Sequence, residues 1–130
     1  MALQVDLVSP ERILFSGEAE MVVCRTIGGG EVAFLTGHAP FLGALEISRV
    51  KIKTTDGKEV VAAVHGGFVH VRESRVTVLS DVAELADQID VERARRAKDA
   101  AEQQQRQEDD TEGEAALRRA HVRLEVAGRN

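Results

Sequence analysis

The sequence predicts an α+β protein, an N-terminal antiparallel β-sandwich followed by a C-terminal two-helix antiparallel hairpin, and three observations carry that prediction. The first is an abrupt change of character near Ile89-Asp90. All four Phe (Phe15, Phe34, Phe41, Phe68) and both Pro (Pro10, Pro40) lie before it. The second is a run of short segments alternating apolar and polar residues, divided by turns that use nine of the eleven Gly by residue 67. Many short strands at close spacing signal a compact sandwich or barrel. The third is an Ala-, Gln- and charge-rich tail whose apolar residues recur at three- and four-residue spacing, the period of an amphipathic helix. A chain of 130 residues holds one modest domain and an appendage, judged against domains of about 100 to 200 residues. The division expected is residues 1–87 for the sandwich and 88–130 for the hairpin.

Leu3-Gln-Val5-Asp-Leu7-Val8 has the period-two pattern of a half-buried strand and stops at Ser9-Pro10. Ile13-Leu-Phe15 and Met21-Val-Val-Cys24 read as the next two strands, separated by Ser16-Gly17. Between Val50 and Val61 two alternating runs flank Asp56-Gly57. That dipeptide specifies a type I′ hairpin turn, in which both central residues take positive φ. Gly66-Gly67 precedes a further hairpin made of Phe68–Arg72 and Arg75–Leu79. Helical crossovers are absent from this half, which disfavours a parallel sheet.

From Asp90 the pattern turns helical, with Asp90 as N-cap, Ile89 just outside it, and Ala94, Ala97 and Ala101 on one stripe. The acidic stretch Glu108 to Gly113 breaks the pattern, and the acids there oppose the macrodipole at the end of the first helix. A second helix is expected from Glu114 to Val126, with Ala116, Leu117, Ala120 and Leu124 forming its apolar stripe. A buried Ala methyl contributes well under ~1 kcal/mol, against ~1.5–3 for Leu or Phe. The hairpin is therefore expected to dock weakly and to move between two positions.

The net charge of −5 and a pI near 5.4 argue against nucleic acid as a partner, because such binding needs a basic stripe. No run of about 18 apolar residues is present and the N-terminus lacks a signal-peptide layout, so a cytosolic chain without membrane insertion is expected. Cys24 is the single cysteine and reads as a small buried hydrophobe. Gly28-Gly29-Gly30 reads as a turn, since no Lys-Ser/Thr follows to complete a phosphate loop. His65 and His70 are an odd number of residues apart, which on one regular strand sends them to opposite faces, and no His/Cys spacing supports a metal. No nucleophile motif is present, so no catalytic residue is assigned.

Charged residues in the tail are more suggestive. Asp90 and Arg93 share one helical face, and Arg119 and Arg123 share another. If the helices pack antiparallel, these groups converge and can grip phosphates through bidentate hydrogen bonds while the carboxylate accepts from an amine or a hydroxyl. The alternative is a solvated charged face.

An ordered series of short motifs runs along nearly the whole chain: Ser9-Pro10-Glu11-Arg12, Leu14-Phe15-Ser16-Gly17, Gly30-Glu31, Gly37-His38-Ala39-Pro40, Gly66-Gly67-Phe68, Val76-Thr77-Val78-Leu79 and Ile89-Asp90-x-x-Arg93-Ala94. The series resembles the epsilon subunit of F-type ATP synthases. The resemblance implies a non-catalytic central-stalk subunit that joins the γ subunit to the c-ring and helps couple proton-driven rotation to ATP synthesis at catalytic sites on the α and β subunits. It implies that the hairpin folds against the sandwich or extends along γ to inhibit ATP hydrolysis. By the same resemblance Glu31 and His38 are candidate c-ring contacts, and Glu84, Ile89, Asp90, Arg93, Ala94, Arg119 and Arg123 form a candidate site for ATP as a regulatory ligand, with no cofactor required. Ala33 and Phe34 depart from the second Gly and the Ile frequent in relatives. The implied location is peripheral, at the cytoplasmic face of a bacterial plasma membrane. A second function considered is a free-standing ATP sensor that signals to another partner.

Overall fold

The computed structural model describes residues 2–107 and 111–128. Among the described residues, nine strands are followed by one 3-10 turn and two helices. The strands are β1 (Leu3–Val8), β2 (Ile13–Thr26), β3 (Gly30–Leu35), β4 (Phe41–Ala44), β5 (Ile47–Thr54), β6 (Glu59–His65), β7 (Phe68–Arg72), β8 (Arg75–Leu79) and β9 (Ala83–Leu85). The 3-10 turn spans Ala86–Gln88, and the helices are α1 (Val91–Gln107) and α2 (Thr111–Val126). The β-sandwich and the two C-terminal helices stand in the expected order.

Strand order is β4-β7-β8-β1-β2-β5-β6-β9, with β3 also paired to β2. The predicted break at Ser16-Gly17 does not occur. β2 runs unbroken for 14 residues because its first half pairs with β1 and its second half with β5 and β3. A register shift between Ala19 and Met21 lets the strand pass from one set of partners to the other. Adjacent ladders are antiparallel except β1 with β8, which is parallel. The long excursion between those two strands supplies the crossover that a parallel pair needs.

Alternation places Leu3, Val5 and Leu7 of β1, Val69 and Val71 of β7, and Val76 and Val78 of β8 inside, where they meet Val22, Phe34, Val50 and Ile52 in one core. Phe34 is the largest fully buried side chain. Cys24 lies in the same core, and burial pushes its thiol up to about 12, so it behaves as the inert hydrophobe expected. β6 differs from the other strands in burying both faces. Ala62 and Val64 face the sandwich core, while Ala63 joins Ile89, Val122 and Val126 in a second cluster beneath α2. His65 and His70 fall on different strands, β6 and β7, across the Gly66-Gly67 turn.

Two turns exchange the conformations their residues suggest. At Asp56-Gly57 only Gly57 takes positive φ, +86°, and the Gly57 N–H donates to the Thr54 carbonyl at 3.1 Å. The loop is therefore longer than a type I′ turn, and Asp56 accepts from the Thr54 hydroxyl and the Lys58 N–H instead of entering the left-handed region. Both central residues of the β7–β8 turn, Glu73 and Ser74, do have positive φ, 51° and 60°. The direct pairing of Arg72 with Arg75 leaves only two residues to reverse the chain.

Helix α1 begins as expected, with the Asp90 side chain accepting from the Arg93 N–H at 3.1 Å. α2 starts at Thr111 rather than Glu114, so Gly113 is helical and buried. The remaining part of the expected acidic break, residues 108–110, lies outside the described residues, as does any test of early fraying there. The Ala stripe divides: Ala94, Ala101 and Ala120 are buried, whereas Ala97 is exposed. Docking on the sandwich is carried instead by Val122 and Val126 with Ile89, which the Ala-stripe reading had not singled out.

Candidate functional site

The candidate residues come from three adjoining elements. Glu84 projects from the edge strand β9, Asp90 caps α1, Arg93 lies in its first turn, and Arg119 and Arg123 are one turn apart on α2. Their side chains, with Gln88, Ala94, Ala97 and Ala116, line a cavity of about 380 Å³ at the junction of sandwich and hairpin. That volume falls within the usual range for small-molecule sites, about 300 to 1,000 Å³. The three alanines explain why there is room. Small side chains on both helices leave space where larger ones would close the gap.

Ile89 does not line this cavity. It is 8% exposed and packs on Ala63, Val122 and Val126, anchoring the segment that leads to Asp90. Gln88 secures the same segment, its Oε1 accepting from the Leu85 N–H at 3.0 Å. These two side chains set the height at which Asp90 and Arg93 enter the site.

The charges are only partly paired within the site. Arg123 Nε donates to Glu84 Oε1 at 2.6 Å, joining α2 to β9. Arg119 reaches back along its own helix to Glu112 at 2.7 Å. The Arg93 side chain makes no ion pair among the described residues, and Asp90 spends one oxygen on its cap. Three guanidinium groups thus face two carboxylates around one cavity. Chemically it suits an anion flanked by a hydrogen-bond donor, since the cations can hold phosphate oxygens while Glu84 or Asp90 can accept from an amine or hydroxyl.

Behind Glu84 lies His65, a residue that sequence reasoning did not connect to the site. Its side chain is 3% exposed, and Nε2 stands 3.4 Å from Glu84 Oε1. Neither ring nitrogen has a hydrogen-bond partner among the described residues. The contact lies within ion-pair range but lacks hydrogen-bond geometry. Burial, reinforced by the Arg123 and Arg119 cations against the opposing pull of Glu84, pushes the imidazole down to about 4, so it is neutral at pH 7.

The two other candidates are placed differently. Glu31 is exposed in β3, opposite Arg25 of β2, at the rim of a second cavity of about 500 Å³ between β2, β5 and α2. His38 follows the far end of that strand, its ring edge-on to Phe34 at 4.9 Å and its Nδ1 2.7 Å from the Ala39 carbonyl. From Glu31 to Leu35 the strand rises roughly 13 Å at ~3.3 Å per residue, so Glu31 stands at one end of β3 and His38 follows the other. Phe34 supplies both the buried plug of β3 and the ring on which His38 rests.

The first 86 residues define the class. The family described as ATP synthase, Delta/Epsilon chain, beta-sandwich domain matches residues 2–86. Among curated proteins, the chain is 48% identical over 126 residues to the ATP synthase epsilon chain of Streptomyces coelicolor, covering 96% of this chain and 94% of that one. It is 44% identical over 132 residues to the ATP synthase epsilon chain of Halalkalibacterium halodurans, covering 98% of both. A chain in a cryo-EM structure of the Euglena gracilis mitochondrial ATP synthase (OSCP/F1/c-ring) shares the fold with a TM-score of 0.71 at 22% identity, over 98% of this chain and 78% of that one. A chain from the central stalk and c-ring of the Tetrahymena thermophila mitochondrial ATP synthase overlaps with a TM-score of 0.55 at 15% identity, over 70% of each. The chain belongs to the family of ATP synthase epsilon chains.

Proposed function

We propose that the chain is a non-catalytic rotor subunit in the central stalk of a bacterial F-type ATP synthase. The sandwich joins γ to the c-ring and so couples proton-driven rotation to ATP synthesis at sites on the α and β subunits. The hairpin regulates ATP hydrolysis, resting on the sandwich in one state and reaching the α and β subunits in another. ATP is the ligand of the cavity lined by Glu84, Asp90, Arg93, Ala94, Arg119 and Arg123. On this reading the protein sits peripherally at the cytoplasmic face of the membrane, held there by its partners; no helix among the described residues is long and apolar enough to cross a bilayer.

The observation that carries the regulatory part is the junction cavity, where guanidinium groups from both helices and a carboxylate of the sandwich edge converge. A ligand spanning those groups ties the hairpin to the sandwich and favours the folded-down state by its differential affinity. For the rotor part, support comes from family membership together with Leu42, Phe68 and Leu79. They are 70%, 56% and 49% exposed on neighbouring strands, and an exposed apolar patch of this kind suits a protein partner. The test is co-purification of γ with the full chain and with Phe68→Asp. Retention of γ by the first and its loss with a folded second are expected; equal retention by both contradicts this placement of the γ contact.

A further inference from the structure

The arrangement of His65, Glu84 and Arg123 contains a competition that the nucleotide site does not require. A single carboxylate oxygen, Glu84 Oε1, lies 2.6 Å from Arg123 Nε and 3.4 Å from His65 Nε2. Arg123 belongs to the hairpin, whereas His65 and Glu84 both belong to the sandwich. The bond Glu84 makes with Arg123 crosses between the modules, and any bond it makes with His65 stays within one. His65 is buried with both ring nitrogens unpartnered among the described residues, and of those residues it is Glu84 that a proton arriving there can be shared with.

We propose that His65 is a proton-operated latch: once protonated it draws Glu84 away from Arg123 and releases the hairpin from the sandwich. The charged groups facing the imidazole are Glu84 from β9 and Arg119 and Arg123 from α2, while its ladder partner on β5 is Ile47. A charged imidazole beneath the docked hairpin meets two cations and one anion without water. Leaving the hairpin removes both cations and rehydrates the ring, so the protonated form favours release. Glu84, the group that shares the proton, also lines the junction cavity, so acid opposes any ligand that binds the arginines through its anion and Glu84 through a donor group.

The sign and size follow from linkage. Docked, the imidazole sits near 4; released, it returns toward its ordinary 6.5. The contribution to docking is complete above the ordinary value and is lost as pH falls toward the docked one. At pH 5.5 a released imidazole is about 90% protonated and a docked one almost wholly neutral, which favours release about tenfold relative to pH 7.5.

The inference rests on the reading of the hairpin as a movable element, and amide hydrogen exchange on the full chain at pH 7.5 and 5.5, corrected for intrinsic rates, separates the two. If α2 exchanges only together with the sandwich strands at pH 7.5, the movable reading fails. If α2 exchanges ahead of them, its protection should fall about tenfold at pH 5.5 relative to the sandwich, and this fall should vanish in His65→Phe. An unchanged protection ratio in the wild type, or the same fall in His65→Phe, overturns the latch alone. Should His65→Phe not fold, NMR titration of the wild-type His65 ring decides: a midpoint at or above the ordinary value with the hairpin still docked contradicts the latch, and a midpoint well below it supports the latch.

Discussion

Gly67 shows how one position governs the junction of the β6–β7 turn with the rest of the sandwich. Its φ is +119°, and a Cβ built there falls 2.0 Å from the Leu79 carbonyl oxygen and 2.9 Å from the Ser80 Cα. Both obstacles are backbone, so no rotamer change relieves them. Its own carbonyl accepts from the Leu45 N–H at 2.8 Å, which ties the turn to the entry of β5. Gly67→Ala should cost about 4 kcal/mol or more in chemical denaturation; a loss under about 1 kcal/mol would show that the strands separate freely. The Gly66-Gly67 pair is visible in the sequence only as the lead into a hairpin and as one of the short motifs, and its steric role is not, because the clashing atoms come from residues 79 and 80. The Asp56-Gly57 and Glu73-Ser74 turns teach the same lesson in reverse. Residue preference for positive φ yields to the number of residues that the strand register leaves for the turn.

Among the elements, β2 and β6 carry the architecture. β2 reads as two strands because Ser16-Gly17 resembles a break, yet β1 on one side keeps both residues in its ladder, with Ser16 opposite Asp6 and Gly17 opposite Val5. The Ser16 hydroxyl donates to Asp6 at 2.7 Å, which gives a polar residue a reason to stay in the strand. β6 has no alternating pattern since α2 covers its outer face, and only the helix position explains why Ala63 is as buried as Ala62. The core that encloses Phe34, Leu3 and Leu7 contains no residue of either helix. Deleting residues 88–130 should therefore leave a folded sandwich, at a cost of roughly 2–3 kcal/mol for uncovering Ile47, Val61 and Ala63. A cooperative thermal transition in the truncated chain is expected; an unfolded chain would mean that the hairpin is part of the domain's core.

At the scale of the whole molecule, the hairpin is held by one small apolar cluster and by charge. Ile89, Val122 and Val126 each contribute ~1.5–3 kcal/mol of gross burial, and among the described residues two ion pairs join α2 to the sandwich, Arg123 to Glu84 at 2.6 Å and Arg49 to Glu125 at 3.1 Å. The expectation of weak docking rested on alanines, but those line the contact between the helices and the wall of the cavity. The larger side chains at the sandwich were not recognised because Val122 and Val126 fall one turn apart among charged residues, a spacing that reads equally as a solvated face. Of the candidate site, the tail charges Asp90, Arg93, Arg119 and Arg123 were legible from helical spacing, whereas Glu84 came only through family resemblance and His65 through three-dimensional proximity. Strands β6 and β9 bring these last two together from positions 19 residues apart in the chain.

ATP seated in the junction cavity would span both helices and the sandwich edge and so hold the hairpin down. Calorimetric titration of the full chain with Mg²⁺-free ATP, with GTP and ADP as controls and with Asp90→Ala and Arg93→Ala as variants, addresses it directly. Saturable binding selective for ATP is expected, with at least a tenfold weaker response in each variant, the loss expected for one charge-assisted hydrogen bond of about 1.5–3 kcal/mol. No binding up to millimolar ATP, or affinity unchanged by both substitutions, would contradict it.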